Sequence, residues 1–191
     1  MYELPTTIQV NNLTFHITNK GDYRMVLDCF SALQDTELDT DHRISASLQI
    51  FYEEINSNAD ILNYADMLNE LISEMFRFIN CGQQESPGAD IGISIIDWED
   101  DSQMICAAIN NVAKQEIRVV PYLHWWTFLG YYMSVGQSML STVVSIRDKL
   151  HRGKKLEKWE QDFRKNNPQY FIKKHNEDEQ SFEELIRNQW K

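Results

Sequence analysis

Residues 121–136 read Pro-Tyr-Leu-His-Trp-Trp-Thr-Phe-Leu-Gly-Tyr-Tyr-Met-Ser-Val-Gly and carry six of the 22 aromatic side chains of this chain. Since one buried aromatic side chain removes about 150 to 250 Å² from water, these six could bury about 1000 Å². The stretch is apolar nearly all round, a pattern typical of a helix that lies in the core or at a protein interface. We therefore expect the rest of the chain to pack around this helix.

Length and composition indicate a globular protein with a sizeable core. The chain has 191 residues, of which 42% are hydrophobic and 12% aromatic. A single domain usually has about 100 to 200 residues, so one domain with at most a small appendage is expected. The net charge of -11 argues against nucleic acid or an anionic membrane as the main partner.

The charge is distributed unevenly along the chain. Residues 1–146 carry 6 basic and 20 acidic side chains, residues 147–174 carry 10 basic and 4 acidic ones, and residues 175–191 carry 2 basic and 5 acidic ones. A basic stripe on an acidic chain could meet an acidic client or another copy head to tail. A solvated helix of mixed charge is the simpler interpretation.

No metal, cofactor or membrane-spanning motif is recognisable in the sequence. Cys29, Cys81 and Cys106 are far apart, with no CxxC pair and no histidine at ligand spacing, so we expect reduced thiols. The N-terminus lacks a basic region followed by an apolar run, which argues against a signal peptide. The aromatic stretch is too short and, with His124, too polar to span a bilayer. The expectation is a soluble, intracellular protein.

Residues 4–18 are predicted to form a β-hairpin. Apolar residues alternate on either side of Asn11 and Asn12, namely Ile8 and Val10 before them and Leu13, Phe15 and Ile17 after them. Asparagine tolerates the positive φ that a two-residue hairpin turn requires. A lone hairpin is unstable in water, so its apolar face should dock on helices.

Helical periodicity dominates the remainder of the first 82 residues. Asp22 is the expected N-cap of a first helix that ends near Gln34, a polar link covers residues 35–41, and a second helix starts at about His42. The apolar face of that second helix is predicted to hold Ile44, Leu48, Phe51, Tyr52 and Ile55. A third helix should run from Asn58 or Asp60 to Ile79, with Leu62 and Met67 on its apolar side, and end at Cys81-Gly82. Residues 83–92, with Pro87 and two glycines, are the best candidate for a hinge.

The acidic run at residues 97–101 has two interpretations. Clustered carboxylates could be metal ligands or catalytic acids, but the run lacks the glycine and glutamate that an EF-hand loop requires. The favoured interpretation is that Asp97 is an N-cap, with Glu99, Asp100 and Asp101 in the first turn of a helix that ends near Glu116. His124 could serve as a base, yet no nucleophile or carboxylate lies near it in sequence, so a hydrogen-bonded core histidine is preferred.

The C-terminal part changes character. After the aromatic stretch a helix carries Met139, Val143, Ile146 and Leu150 and ends at Arg152-Gly153. We assign residues 1–153 to a helical core domain and residues 154–191 to a basic, then acidic, extension. Aromatic residues between basic ones suit a single-stranded nucleic acid, but an amphipathic helix that packs Leu156, Trp159 and Phe163 on a partner is simpler. Residues 181–190 begin with a weak capping box, formed by Ser181 and Glu184.

Three motifs in this order and spacing resemble a known family. They are Asp97-Trp-Glu-Asp-Asp101, Leu123-His-Trp-Trp-x-Phe128 and Ser145-Ile-Arg-Asp148, preceded by a Leu-Pro hairpin and the pair Phe51-Tyr52. The chain is similar, over roughly residues 4–170, to the phage "gene product fifteen" family of small tail-module proteins of long-tailed siphophages. The His-Trp-Trp helix is the most specific part of this resemblance.

The resemblance implies a non-enzymatic protein that binds the long, helical tape measure protein during tail assembly. Such genes typically sit before the tape-measure gene, in the place of the tail assembly chaperones. The implied partners are the tape measure, an upstream tail assembly chaperone and further copies of the chain. The implied location is the host bacterial cytoplasm, with no copies in the mature virion. The family has no established catalytic residues, and no cofactor is implied.

Two other functions stay open at the level of sequence. One is a structural virion protein, such as a tail-completion or connector component. The other is a regulatory or nucleic-acid-binding module that uses the basic segment 147–174. An enzyme is the least favoured class, because no nucleophile, metal or phosphate motif is visible.

The sequence predicts a mainly α, helical bundle-like protein with about six to eight helices and an N-terminal β-hairpin. The aromatic stretch holds more surface than one layer of helices has to cover. We therefore predict that one or two of its large aromatic residues are partly exposed in the isolated chain and become buried in an oligomer or against a client. The candidate residues for client binding or self-association are Trp125, Phe128, Tyr131, Tyr132, Trp159 and Phe163.

Overall fold

A computed structural model describes residues 3–35, 37–83 and 95–171. They form a two-stranded hairpin and eight α-helices, which confirms the predicted mainly α fold with an N-terminal β-hairpin. The elements are β1 (Thr7–Val10), β2 (Leu13–His16), α1 (Tyr23–Leu33), α2 (Thr40–Phe51), α3 (Asn58–Asn63), α4 (Leu68–Ile79), α5 (Ser102–Ala113), α6 (Trp125–Met133), α7 (Met139–His151) and α8 (Lys158–Asn166). No helix within the described residues is both long and apolar enough to cross a membrane.

The chain divides into two compact units. The first unit holds the described residues of Met1–Gly88 together with Pro121–Leu129, and the second holds those of Ala89–Val120 and Gly130–Gln180. Helix α6 therefore contributes its first five residues to one unit and its last four to the other. The predicted domain boundary at residue 153 stays a prediction, and the predicted hinge at residues 83–92 lies outside the described residues apart from Gln83.

The hairpin forms as the sequence predicts. Strand β1 pairs antiparallel with β2, and Asn11 and Asn12 supply the turn with φ values of 49° and 65°. Phe15 and Ile17 are buried to 1% exposure, because the hairpin docks on the helices of the first unit. The ring of Phe15 contacts Tyr52, with the two ring centroids 5.6 Å apart.

Helices α1, α2 and α4 form the rest of the first core. Asp22 caps α1 as predicted, since its side chain accepts a hydrogen bond from the Arg24 N–H. Helix α2 begins at Thr40, two residues before the predicted start, because the Asp39 side chain accepts from the His42 N–H. The helix ends at Phe51, yet Tyr52 and Ile55 beyond it are fully buried as predicted.

The predicted third helix is wrong in one respect, since it is broken in two. Helix α3 ends at Asn63, a 3-10 turn covers Ala65–Met67, and α4 starts at Leu68. The break places the Tyr64 ring 5.1 Å from that of Phe15, so tertiary packing outweighs helical continuity. Leu62, predicted to be on the apolar side, is 75% exposed.

Helix α4 ends as predicted at Cys81-Gly82. The left-handed position just after the helix falls on Cys81, with φ 55°, and Gly82 follows with φ 76°. The Gly82 N–H donates to the Arg77 carbonyl and the Cys81 N–H to the Phe78 carbonyl. These two bonds form a Schellman motif, which satisfies carbonyl groups that the helix end leaves open.

The second unit contains α5, α7 and α8. Helix α5 begins at Ser102, so its N-cap is Asp101 and not Asp97 as predicted, and it ends at Ala113. The Asp97 carboxylate instead accepts from the N–H groups of Glu99 and Asp100 in a turn before the helix. Ser138 starts α7 with a capping box, and Gly153 follows its end with φ 63°.

Gly21 provides a test of packing in the first unit. Its φ is 77°, and a methyl group on its Cα would lie 2.7 Å from the Phe78 ring and 3.1 Å from the His124 ring. We expect Gly21→Ala to lower the free energy of unfolding by about 1 to 3 kcal/mol, from backbone strain and overpacking.

Gly130→Ala is the matched control, because Gly130 lies within α6 with no other atom within 4 Å of an added methyl. This variant should be neutral or stabilising by up to about 1 kcal/mol. Urea unfolding of both variants measures the difference. Equal stability of the two would contradict the packing at Gly21.

Candidate functional site

The His-Trp-Trp segment, residues 122–128, joins three parts of the first unit. The indole N–H of Trp125 donates to the Ile79 carbonyl at 2.7 Å, and that of Trp126 donates to the Phe78 carbonyl at 2.8 Å. Both acceptors lie in the last turn of α4, where helix carbonyl groups lack intrahelical partners. The two tryptophans therefore cap the C-terminal end of α4 with side-chain donors.

His124 is a core histidine, as predicted. It is 1% exposed, its Nε2 lies 3.0 Å from the Pro5 carbonyl, and its Nδ1 accepts from the Trp126 N–H. A carbonyl only accepts and a backbone N–H only donates, so the ring is neutral with the proton on Nε2. Burial lowers the pKa of His124 below its ordinary value, and the bond to Pro5 opposes this shift only in part.

Asp22 links the start of α1 to the same segment. Its carboxylate accepts from the Leu123 N–H at 2.9 Å and also from the Arg24 side chain. The Tyr23 N–H donates to the Leu123 carbonyl at 2.9 Å. The tightly bonded His-Trp-Trp segment thus acts as a structural junction, with its polar groups already occupied.

The other two motifs meet in the second unit. Arg147, from the Ser-Ile-Arg-Asp motif on α7, donates through both terminal nitrogens to the carboxylate of Asp101, the last residue of the acidic motif. The Asp101 side chain is 3% exposed. The prediction that Asp101 sits in the first turn of α5 is wrong, because the helix begins only at Ser102. Asp101 precedes it as a buried ion-pair partner.

Arg147 also donates hydrogen bonds to two backbone carbonyl groups. Its guanidinium donates to the Ile95 carbonyl at 3.0 Å and to the Tyr170 carbonyl at 2.7 Å. One side chain therefore connects α7, the segment before α5, and the 3-10 turn Pro168–Tyr170. A bidentate arginine with additional acceptors is the arrangement that offsets the cost of burying charge.

A second buried ion pair holds α8. Lys149 on α7 donates to the Glu160 carboxylate at 2.6 Å, and the Glu160 side chain is 1% exposed. The same carboxylate accepts from the Glu157 N–H, which completes a capping box at the start of α8. The hydrogen bond with Lys149 lowers the pKa of Glu160.

The candidate binding residues divide into two groups. Trp125 and Phe128 are each 1% exposed and stack on one another in the first core, so neither offers surface to a partner. Tyr131 and Tyr132 are half-buried, which confirms that two of the four large residues named in α6 are partly exposed. Trp159 is 54% exposed, and Phe163 is half-buried against Phe171.

The sequence reasoning missed the most exposed apolar residue of α6. Met133, at the end of the helix, is 74% exposed, and together with Tyr131 and Tyr132 it forms what we call the open end of α6. Tyr132 contacts Trp98, with ring centroids 5.6 Å apart, and burial raises its pKa. The sequence signal that could have identified Met133 is the absence of a polar face on α6.

A groove beside α8 was also missed. It has a volume of about 360 Å³ and is lined by Leu156, Gln161, Arg164, Lys165, Pro168 and Phe171. Four of these residues, Gln161, Arg164, Lys165 and Pro168, recur at helical spacing in the sequence. A search for apolar stripes does not find them, because three of them are polar. Among the described residues, no group of three or more histidine, cysteine, aspartate or glutamate side chains is placed to hold a metal ion.

Comparisons with known proteins place the chain in one family. The model of the family described as Bacteriophage Gp15 protein matches residues 1–172. No curated protein matches the chain, and no solved structure matches it.

The Asp101–Arg147 pair should contribute strongly to stability. We expect Arg147→Ala to lower the free energy of unfolding by about 3 to 5 kcal/mol, because it leaves the Asp101 carboxylate buried and unpaired. Arg152→Ala is the control, since Arg152 pairs with Asp148 at an exposed site, and such pairs contribute about 0 to 1 kcal/mol. Urea unfolding measures the free energy of unfolding of both variants. Equal losses in the two would show that the buried pair contributes no more than the exposed one.

His124 and His16 should give opposite pH dependences. The pKa of His124 is lowered by burial, so its stabilising contribution is complete above pH 6.5 and falls as the pH drops below that value. The hydrogen bond to Glu54 raises the pKa of His16, so its contribution is complete below pH 6.5 and is lost as the pH rises.

Single His→Gln variants test these signs by urea unfolding at about pH 5.5 and about pH 7.5. His124→Gln should cost more stability at the higher pH, whereas His16→Gln should cost more at the lower pH. The same sign of pH dependence for both variants would contradict the buried, neutral form of His124 or the His16–Glu54 pair.

Proposed function

Because the chain belongs to the Bacteriophage Gp15 protein family, we propose that it is a tail assembly chaperone-like protein that binds the tape measure protein during morphogenesis of a long phage tail. Family membership identifies a bacteriophage protein and, at a coarse level, suggests a virion protein. The finer role in assembly is our proposal. It extends what the three motifs imply by their resemblance to siphophage tail-module proteins.

The open end of α6 is the observation that carries this proposal. In the first half of α6, Trp125 and Phe128 are buried in the core. In the second half, Met133 is 74% exposed and Tyr131 and Tyr132 are half-buried. Aromatic and methionine side chains are enriched where proteins bind one another, and the thioether of methionine adapts to varied apolar surfaces. A surface of this kind suits a client that presents many similar apolar stripes and not one unique epitope.

A tape measure is a very long, helical protein, and its apolar stripes would aggregate before tail-tube subunits cover them. A protein that lays an aromatic surface against an amphipathic helix can shield such a stripe. Trp159 is 54% exposed and supplies a second aromatic contact in the same unit. In this role the chain acts without catalysis and without a cofactor.

The proposal includes partners and a location. Copies of the chain associate with each other along the client, and an upstream tail assembly chaperone joins them. Assembly takes place in the cytoplasm of the host bacterium, and the chain leaves before the virion is complete. No membrane or nucleic acid takes part, in keeping with the net charge of -11.

A structural tail-completion or connector component is the second candidate. The buried Asp101–Arg147 and Lys149–Glu160 pairs favour it, since both lock the second unit into one arrangement, as a permanent virion part requires. Mass spectrometry of purified particles separates the two. Stoichiometric copies in the virion support the structural component, and their absence supports the chaperone.

Co-expression with the tape measure protein of the same phage tests the main proposal. The wild-type chain should raise the soluble fraction of the tape measure and co-purify with it. The double variant Tyr131→Glu/Met133→Glu should lower the co-purified amount roughly tenfold, because charged groups at an apolar contact must be desolvated.

Val119→Glu is the matched control, since Val119 is 77% exposed and lies outside α6. It should behave as the wild type. Circular dichroism must show that both variants are folded. A tape measure that stays equally insoluble with and without the wild-type chain would refute the chaperone role.

A further inference from the structure

The groove beside α8 combines apolar lining residues with positive charge. Gln161, Arg164 and Lys165 follow at spacings of three and one residues, so they share one face of α8. Pro168 lines the groove from the 3-10 turn that follows the helix. Leu156, Pro168 and Phe171 supply the apolar part of the lining. A volume of about 360 Å³ is large enough to accept an aliphatic side chain with part of its backbone.

The basic groups of this groove lack acidic partners within the described part of the chain. Arg164 and Lys165 are both exposed, and neither forms an ion pair with a described carboxylate. In contrast, Arg147 and Lys149 in the same unit are each matched with a buried acid. A ligand of the groove therefore needs an apolar group flanked by negative charge.

The first unit presents a segment with these properties. Leu62 at the end of α3 is 75% exposed, so its side chain is available to a partner. Asp66 and Glu70 follow at intervals of four residues, and both are exposed. Neither carboxylate forms an ion pair with a basic group of the described residues.

We propose that the groove beside α8 binds the acidic segment around Leu62 of a second copy of this chain. Leu62 of one copy enters the groove, and Asp66 and Glu70 lie against Arg164 and Lys165 of the other. The inference rests on the self-association included in the proposed function and names the surfaces that produce it.

The contact is head to tail, because the two surfaces are different. After pairing, one copy keeps a free groove and the other keeps a free acidic segment, so association continues into a ring or an open chain of copies. An open chain suits a client as long as a tape measure. A nucleic acid fits less well, since half of the lining residues are apolar and the whole chain has a net charge of -11.

Charge reversal on each surface provides the test. The groove variant is Arg164→Glu/Lys165→Glu, and the acidic-segment variant is Asp66→Lys/Glu70→Lys. Sedimentation velocity of the purified wild-type chain should show association that grows with concentration and weakens with salt. Each double variant alone should be a monomer, because its two surfaces now carry the same sign.

Mixing the two variants gives the decisive result. The acidic segment of the groove variant still matches the groove of the acidic-segment variant, and the reversed groove of the first matches the reversed segment of the second, so the mixture should associate again, with the two variants alternating. A chain with all four substitutions should associate again. Leu62→Ser should weaken association without any change of charge, by roughly tenfold if the leucine is the central apolar anchor.

Lys154→Glu/Lys155→Glu is the control for unspecific attraction. It changes the charge by the same amount in the same unit, at exposed residues that do not line the groove. This control should associate as the wild type does. Circular dichroism and urea unfolding verify that each variant is folded, and the single variant Lys165→Glu replaces the groove variant if that one unfolds.

Three results would overturn the inference: a wild-type chain that stays monomeric at all concentrations, a control that loses association as the groove variant does, or a mixture that stays monomeric. Binding of single-stranded DNA by the wild type but not by the groove variant would assign the groove to nucleic acid instead. The measurement uses no tape measure. If the charge-reversed variants do not associate when mixed, but the wild-type chain still keeps the tape measure soluble, this inference is wrong and the proposed function is not affected.

Discussion

Two hydrogen bonds from tryptophan side chains to the end of α4 hold the first unit together. The indole N–H groups of Trp125 and Trp126 reach the carbonyls of Ile79 and Phe78. A buried indole N–H requires a hydrogen-bond acceptor, and the last carbonyl groups of a helix require donors, so each of these bonds satisfies both groups. Because both donors are adjacent in sequence, the start of α6 has one orientation on α4. The bonds of His124 and Asp22 then attach the hairpin and α1 to the same point.

The second unit is organised around charge. Arg147 binds Asp101 and two backbone carbonyls, and Lys149 binds Glu160. Buried ion pairs add little net stability compared with apolar packing, but an unpaired member is costly, so the pairs penalise other arrangements of the same helices. The three motifs that mark the family are therefore residues of the framework. Asp101, His124, Trp125, Trp126 and Arg147 use their side-chain hydrogen-bonding groups inside the protein.

Function must then lie with residues that the framework leaves free. In the second unit these include Met133, the edges of Tyr131 and Tyr132, Trp159, and the basic residues that line the groove beside α8. In the first unit they include Leu62 with Asp66 and Glu70. Such residues form patches of apolar surface bordered by charge, which is the composition of protein interfaces. The proposed role in binding and assembly rests on these surfaces.

Local patterns determined a large part of this structure. The Asn11-Asn12 turn, the cap at Asp22 and the stop at Cys81-Gly82 follow from short-range backbone and hydrogen-bonding preferences. The partial exposure of α6 followed from an excess of aromatic surface. These features depend on neighbours within a few residues, so the sequence alone suffices to predict them.

Tertiary contacts decided the rest. The predicted third helix is interrupted at Tyr64, whose ring packs on Phe15. Helix α5 starts later than predicted, after Asp101, which pairs with Arg147. Within α6, Trp125 and Phe128 are buried and Met133 is exposed. Each outcome depends on a partner that is distant along the chain, for instance 46 residues away in the case of Asp101 and Arg147. Periodicity identifies an apolar or charged residue, but it does not identify the residue that will meet it. For that physical reason the sequence determined the elements and their caps, whereas the tertiary structure determined which side chains are used internally and which remain available to a partner.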